Sequence, residues 1–197
     1  MRLIHIAAAL ILTVTMAYAQ QTSRIRGTVE SLNAEGAIIK TMDGQSVSLK
    51  FGSNLAVAVV VKAQPSDIKP GAFIGAGARP QADGTLKAIQ ILIFPEAQRG
   101  TGEGHRDWSA MPQTTMTNAT VAETVSNVSG PELTLKYKDG EKKLVIGADA
   151  NIITTKLGER EDLKVGTELV TTAVKNADGT FTTSRVTVGK DGVAPPL

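Results

Sequence analysis

The stretch FPEAQRGTGEGHRDWSAMPQTTM, from Phe94 to Met116, separates two segments with similar hydrophobic patterns. Apart from an N-terminal leader, it holds the only histidine and the only tryptophan of the chain, His105 and Trp108. On both sides, short runs of alternating apolar and polar residues are interrupted by Gly, Asn and Asp, which is typical of strands and turns rather than of helices. Residues 95–116 are therefore predicted to be a Gly-rich linker between two β-domains.

Local signals within the first segment refine this prediction. Asp43-Gly44 lies between two alternating runs and indicates a hairpin, because both residues tolerate the positive φ of a type I′ turn. Leu55 to Val61 is an almost continuous apolar run, as expected of a strand that is buried on both faces. Gly75 and Gly77 leave one face of a later strand without side chains, which indicates a bulge, a sharp coil of a barrel or a close approach of the backbone.

Three turn motifs recur in the same order on the two sides of the linker, at an offset of about 95 residues. This repetition predicts a duplication, with residues 22–94 and 117–190 as two copies. Each copy has enough short strands to close a small barrel of its own, and closure would remove exposed strand edges. We predict two tandem OB-like β-barrels, with small β-sandwiches as the alternative. The matched motifs are Asp43-Gly44 and Asp139-Gly140, Asp67 to Gly71 and Asp162 to Gly166, and Ala82 to Thr85 and Ala177 to Thr180.

The two ends of the chain have simpler predictions. Met1-Arg2, the apolar run from Leu3 to Met16 and Ala17-Tyr18-Ala19 form the pattern of a general secretory signal peptide, residues 1–19, cleaved after Ala19. The run is too short to span a membrane, no later stretch is long enough, and we expect a periplasmic or secreted protein. Residues 191–197 are predicted to be an exposed or lightly packed tail.

Taken together, these motifs carry a resemblance to a known family. The D-[IL]-K-x-G segments, the A-D-G-T turns, the linker from Ile93 to Arg106 and the stretch from Arg185 to Gly192 resemble a bacterial exported family of unknown function with duplicated OB-like domains. The resemblance implies the fold and the export. Such proteins are sometimes labelled as permease components of metal transporters, but a permease needs several spanning helices, which this sequence lacks.

The linker also contains a candidate metal site. Glu103, His105 and Asp107 alternate, so in an extended segment their side chains leave the same face. One imidazole and two carboxylates are suitable ligands for Zn²⁺ or another divalent cation. The alternative is that the three side chains are solvated or paired with Arg99 and Arg106. No other cofactor is predicted.

Composition argues against two further classes of function. The chain has no cysteine, and a single histidine after the leader leaves few ways to build an acid–base site, so we do not expect an enzyme. Nucleic-acid binding is not expected, because aromatic residues make up 4% of the chain and the net charge is near zero. We expect a non-catalytic binding or structural module of the envelope, with an envelope protein or a small ligand as partner. The alternative is a periplasmic metal-binding accessory protein.

Trp108 and Phe94 are predicted to be packing or partner anchors. A Trp within a polar, Gly-rich connection is costly to expose, so we expect Trp108 to fix the linker across a barrel.

Overall fold

The computed structural model describes residues 21–127 and 130–197, and these residues form an all-β protein with a closed barrel, as predicted. Within these ranges no helix is long and apolar enough to cross a membrane. The predicted leader, residues 1–19, lies outside the described residues. The strands are β1 (Thr22–Leu32), β2 (Gly36–Thr41), β3 (Ser46–Lys62), β4 (Phe73–Pro80), β5 (Leu86–Ile93), β6 (Gly104–Asp107), β7 (Thr115–Asn127), β8 (Gly130–Tyr137), β9 (Gly140–Val145), β10 (Asn151–Leu157), β11 (Glu168–Lys175) and β12 (Phe181–Gly189).

The first barrel closes in the order β1, β2, β3, β12, β11 and back to β1. All neighbours are antiparallel except β3 and β12, which run parallel. Alternate residues point inward, and the core is made of Ile, Val, Leu and Ala side chains such as Val29, Ile39 and Leu49. The five strands therefore bury one apolar face each without leaving a strand edge open.

The second barrel closes in the order β7, β8, β9, β5, β4 and back to β7. Again a single contact, between β5 and β9, is parallel. Ile74, Leu133 and Leu144 are among its fully buried core residues. Both barrels have the same order of strands and the same position of the parallel contact. This agrees with the OB-like prediction and not with the alternative of two small sandwiches.

The predicted assignment of one barrel to residues 22–94 and the other to residues 117–190 is wrong in its connectivity. Each barrel takes three strands from one half of the chain and two strands from the other half: β11 and β12 complete the first barrel, and β4 and β5 complete the second. The hydrophobic pattern fixes where strands lie and which face is buried, but strands with similar hydrophobic patterns in the two halves offer similar pairing surfaces. Sequence alone therefore could not distinguish pairing within a half from exchange between halves.

Two short crossing segments carry the chain from one barrel to the other. Pro65–Asp67 and Arg160–Asp162 are single turns of 3₁₀ helix, and each is followed by a buried apolar residue. Ile68 packs in the core of the second barrel, and Leu163 packs in the core of the first. Each crossing segment thus leaves one barrel and places an apolar side chain in the core of the other.

Main-chain hydrogen bonds fix both crossings in the same way. Gly166 N donates to Val29 O at 2.8 Å, and Val29 N donates to the carbonyl of the next residue, Thr167, at 3.0 Å. At the other crossing, Gly71 N donates to Val121 O at 2.7 Å, and Val121 N donates to the following carbonyl at 2.8 Å. Both segments therefore dock on the first strand of the opposite half.

Strand β10 joins the barrels into one sheet. It pairs antiparallel with β3 and parallel with β5. Val59 faces the core of the first barrel, whereas Val60 lies outside it against Ile153, so the predicted burial of this run on both faces is confirmed. Because β10 bridges a strand of each barrel, the two barrels share a continuous outer face.

The tail, residues 191–197, is packed in part: Val193 and Pro195 are buried, whereas Asp191, Gly192, Ala194 and Leu197 are exposed, so the prediction of an exposed or lightly packed extension holds for the latter four. Asp191 and Gly192 have φ values of 52° and 77°, as a type I′ turn requires, and Val193 returns to pair with Lys190. Val193 is buried against Val60 and the other apolar residues beside β10. The Asp-Gly turn reverses the chain and lays the tail along the shared outer face.

The exchange predicts which engineered disulfide will form. Thr22 lies opposite Val174 across the β1–β11 pair, where side chains are about 5 Å apart. The double variant Thr22→Cys/Val174→Cys should therefore cross-link under mild oxidation, and the natural chain has no cysteine to interfere. Mass spectrometry of the monomer measures the loss of two hydrogen atoms.

The matched control is Thr22→Cys/Arg79→Cys, because Arg79 is the residue of β4 that an unexchanged barrel would place in this position. We expect no intramolecular disulfide in this control. Cross-linking of the control and not of the Val174 pair would contradict the exchange.

Candidate ligand cleft

The glycines of β4 hold two aromatic side chains of the linker region. On this strand Ile74, Ala76 and Ala78 face the second barrel's core, so Gly75 and Gly77 face outward. A Cβ atom at Gly77 would overlap the ring of Trp108, and one at Gly75 would lie 3.0 Å from Cε2 of Phe94. Of the three predicted explanations for these glycines, a bulge is present, since the register of the β4–β5 pair shifts between Gly77 and Ala78. The close approach is made by side-chain rings and not by the backbone that we predicted.

Trp108 is buried, with 7% of its surface exposed, and lies on the outer face of β4. Its main-chain N–H donates to Thr114 O at 3.0 Å, which closes the loop that follows it. Phe94 is half-buried and tilts against Phe73 with 5.4 Å between ring centroids. The linker is held further by strand β6, which pairs with β7. Both aromatic residues thus anchor the linker on the barrel.

A cleft of about 440 Å³ lies beside these rings, between the linker and the tail. Its floor is the outer face of β4, β5 and β7, with Gln90 and Asn118 as polar groups and Leu92 and Met116 as apolar ones. Phe94, Trp108 and the linker form one wall, and Arg24 of the first barrel and the end of the tail form the other. The volume and the mixture of apolar surface with a few polar groups are typical of ligand sites.

Asn118 is the most unusual residue of the cleft. It is 5% exposed, and its Nδ2 atom donates to Thr101 O at 2.9 Å. Its Oδ1 atom has no hydrogen-bond partner in the protein. Within the described residues only one other buried side-chain oxygen, that of Thr115, has none. A buried acceptor without a partner costs about 1–3 kcal/mol, so the fold does not benefit from this atom.

Gln90 and Arg24 already hold part of the chain in the cleft. Gln90 is 9% exposed, and its Oε1 atom accepts a hydrogen bond from Leu197 N at 3.0 Å. Arg24 Nη2 donates to the main-chain oxygens of Pro196 and Leu197, each at 3.3 Å. Partial burial and the nearby charge of Arg26 lower the pKa of Arg24, but a guanidinium stays charged at neutral pH.

The three candidate metal ligands do not form a donor set. Glu103 Oε1 accepts from the main-chain N–H of Lys138 at 3.1 Å, and His105 Nδ1 shares a hydrogen bond of 2.8 Å with Thr117 Oγ1. Asp107 lies on the rim of the cleft. Over residues 21–127 and 130–197, no three His, Asp or Glu side chains are placed to hold a metal ion. The predicted alternation on one face is therefore not enough to build a site.

His105 is nevertheless in a defined environment. Its ring stacks on Tyr137 with 6.4 Å between centroids. Burial, followed by the charge of Lys142, lowers the pKa of His105, while Asp107 acts in the opposite direction. The imidazole is part of the outer packing of the second barrel rather than of the cleft.

Sequence analysis found the aromatic anchors but missed the polar groups of the cleft. Gln90 lies between Ile89 and Ile91, and Asn118 lies in a strand whose next residues are core side chains. A lone amide within an apolar strand was the available signal for Gln90, whereas the strand of Asn118 is rich in Thr and gives no such signal. Arg24 could not be found in this way. It lies on the first barrel and comes next to the floor of the cleft only because the strands are exchanged, and this floor is built from both halves of the chain.

The contact between Gly77 and Trp108 predicts a coupled effect on stability. Trp108→Ala should lower the free energy of unfolding by about 3–5 kcal/mol because it leaves a cavity. Gly77→Ala should lower it by about 1–3 kcal/mol, because its methyl group displaces the ring. In the double variant the methyl group has space, so the two losses should not add. Chemical denaturation measures all three variants.

Tryptophan fluorescence gives an independent check, because the chain has one Trp. Gly77→Ala should shift the emission to longer wavelength. Gly52→Ala is the matched control on β3, since a Cβ there has its nearest neighbour at 3.5 Å. Additive losses in the double variant, or an unshifted emission for Gly77→Ala, would contradict the contact.

Comparisons of the chain with protein-family models, with curated proteins and with solved structures find no match. The resemblance to an exported family with duplicated OB-like domains therefore remains an expectation from the motifs. Fold alone does not define function, so the function is argued from the cleft.

Proposed function

We propose that this chain is an exported, non-catalytic binding module that takes its ligand in the cleft between linker and tail. The observation that carries the proposal is Asn118, a residue that lines the cleft and whose buried Oδ1 atom has no hydrogen-bond partner in the protein. A ligand with an N–H or O–H donor would satisfy this atom. Binding would then recover the free energy that the unbound fold loses there.

The other groups of the cleft support a binding role. Phe94, Leu92 and Met116 supply apolar surface, and Gln90 and Arg106 supply polar groups. Arg106 is oriented by a hydrogen bond of 2.8 Å from Nη1 to Gly102 O. Few and fixed polar groups on an apolar surface give orientation and specificity to a bound molecule.

The residues that line the cleft do not favour catalysis there. The titratable side chains that line it are Arg24, Arg106 and Asp107. A nucleophile activated by a neighbouring base needs the two within hydrogen-bond reach. An imidazole can act as a general base, but Nδ1 of His105 is hydrogen-bonded to Thr117 Oγ1. Binding without reaction is therefore the function that we propose.

Export is the part of the proposal that rests on sequence alone. The leader of residues 1–19 has the three regions of a secretory signal, and cleavage after Ala19 would release a chain that begins shortly before β1. We therefore place the module in the periplasm or outside the cell, with an envelope protein or an envelope molecule as its partner.

We also propose that the two halves are copies that have exchanged their last two strands. Matched turns support this: Thr85 N donates to Asp83 Oδ1 at 2.9 Å, and Thr180 N donates to Asp178 Oδ1 at 3.0 Å. Both 3₁₀ turns also carry a capping box. Despite these similarities, only the second barrel has the Gly75 and Gly77 face, so the copies differ where the cleft lies.

The binding proposal is tested with Asn118→Leu. This change removes the unpartnered acceptor and one hydrogen bond to Thr101, so the melting temperature should stay near that of the wild type or rise. Saturation-transfer NMR with a fragment library then compares the ligands that the two proteins bind. Fragments with a hydrogen-bond donor beside an apolar group should bind the wild type, and they should bind the variant about tenfold more weakly.

Asn54→Leu is the matched control, because Asn54 is an exposed amide of β3 outside the cleft. It should keep the fragment affinities of the wild type. Fragments that bind both variants equally well, or a folded wild type that binds none, would contradict the proposal.

A further inference from the structure

We infer that an extended, apolar peptide segment of a partner protein binds through its main chain in place of the tail, which in this structure is held in this way and forms one wall of the cleft. The inference rests on the proposed binding function and names its ligand class. It is carried by three observations: the hydrogen bonds of the tail, the apolar contacts of the tail, and the free acceptor of Asn118.

The tail is held by its main chain. Arg26 Nη1 donates to Pro196 O at 2.7 Å, and Arg26 Nη2 donates to Pro195 O at 3.2 Å. Gln90 Oε1 accepts the N–H of Leu197. Together with Arg24, the site thus contacts the carbonyl groups of Pro195 and Pro196, the main-chain oxygen of Leu197 and one N–H group. Recognition of this kind does not depend on polar side chains of the bound segment, and the tail has none after Gly192.

Apolar contacts fix the register of the tail. Val193 is buried against Val60, Ile153 and Leu92, and Pro195 is also buried. Pro196 lines the cleft. Two prolines keep the segment extended before it is bound, which reduces the entropy lost on binding. The site therefore selects an apolar, proline-containing extended segment.

Asn118 extends the same type of recognition beyond the tail. Gln90 and Asn118 are both buried amides, and they lie on the two strands that flank β4. Two strand spacings across the sheet and two residues along it separate them by about 12 Å, which an extended peptide covers in about four residues. Leu197 reaches Gln90, while Oδ1 of Asn118 has no partner. A bound peptide can thus place an N–H at Asn118 that the tail does not supply.

Both guanidinium groups of the first barrel are already engaged in this structure. Arg24 and Arg26 donate to main-chain oxygens of the tail, and Arg26 is also 3.8 Å from Glu168. Asp107 lies on the opposite rim. Neutral peptide carbonyls match these donors, and apolar side chains match the surface between them.

The test is peptide binding to a chain that lacks residues 193–197. The probe is the synthetic peptide KDGVAPPL, which has the sequence of Lys190 to Leu197, and isothermal titration calorimetry measures its dissociation constant. We expect the truncated chain to bind the peptide about tenfold or more tightly than the full chain does, because the resident tail competes. The same peptide with an N-methyl group on its last leucine should bind about tenfold more weakly, since it cannot donate to Gln90.

Variants of the truncated chain locate the site. Arg26→Met should weaken binding of KDGVAPPL about tenfold or more, because two charge-assisted hydrogen bonds are lost. Lys62→Met is the matched control at an exposed cation of β3 and should leave the dissociation constant unchanged. If truncation prevents folding, the full chain with Val193→Ser, Pro195→Ser and Leu197→Ser replaces it, since these changes weaken the resident tail and leave the site intact.

Three outcomes would overturn the inference. The first is a folded, tail-deficient chain that does not bind KDGVAPPL, and the second is equal binding of the N-methylated peptide. Neither contradicts the fragment test with Asn118→Leu, so the binding function can stand when the peptide assignment fails. The third is a doubled mass of the full chain in light scattering with exchange of tails, which would assign the site to a second copy instead of a partner.

Discussion

Docking of two crossing segments on opposite barrels is the constraint on which the rest of the structure depends. Ile68 seals the core of the second barrel and Leu163 seals the core of the first, although each comes from the half that begins the other barrel. Neither half can then close without the other. The chain folds as one unit in which stability comes from burial, since it has no cysteine to form a disulfide.

The cleft is a consequence of this exchange. Because β4 and β5 belong to the second barrel, the outer face of that barrel lies beside the end of β12 and the arginines of β1. Glycines on β4 let the linker's rings approach closely, and the Asp191-Gly192 turn brings the tail to the other side. Three distant parts of the sequence thus line one site, whose floor retains the unpartnered oxygen of Asn118. Natural proteins often keep such a destabilising group where a ligand needs it.

Sequence analysis predicted the local features and missed the long-range ones. Alternation and the Asp-Gly turns gave the strands, and the costs of exposing Trp108 indicated a linker fixed to a barrel. The pairing partners of the strands could not be predicted. Strands β4 and β11 offer similar edges, and the hydrophobic pattern does not determine which of the two pairs with β1. The same limit hid the cleft, since Arg24 and Gln90 become neighbours of the tail only after the exchange. His105 and Asp107 do alternate, but a metal site also needs a third ligand at the right distance, which spacing does not supply.

The distance from Asn118 Oδ1 to the nearest donor of a bound peptide tests the central claim most directly. It can be measured in a crystal structure of the chain lacking residues 193–197, grown with a peptide long enough to cross the cleft. The account predicts a peptide N–H within about 3 Å of this oxygen and peptide carbonyls at Arg24 and Arg26. A peptide bound elsewhere on either barrel, with Asn118 Oδ1 still without a donor, would contradict it.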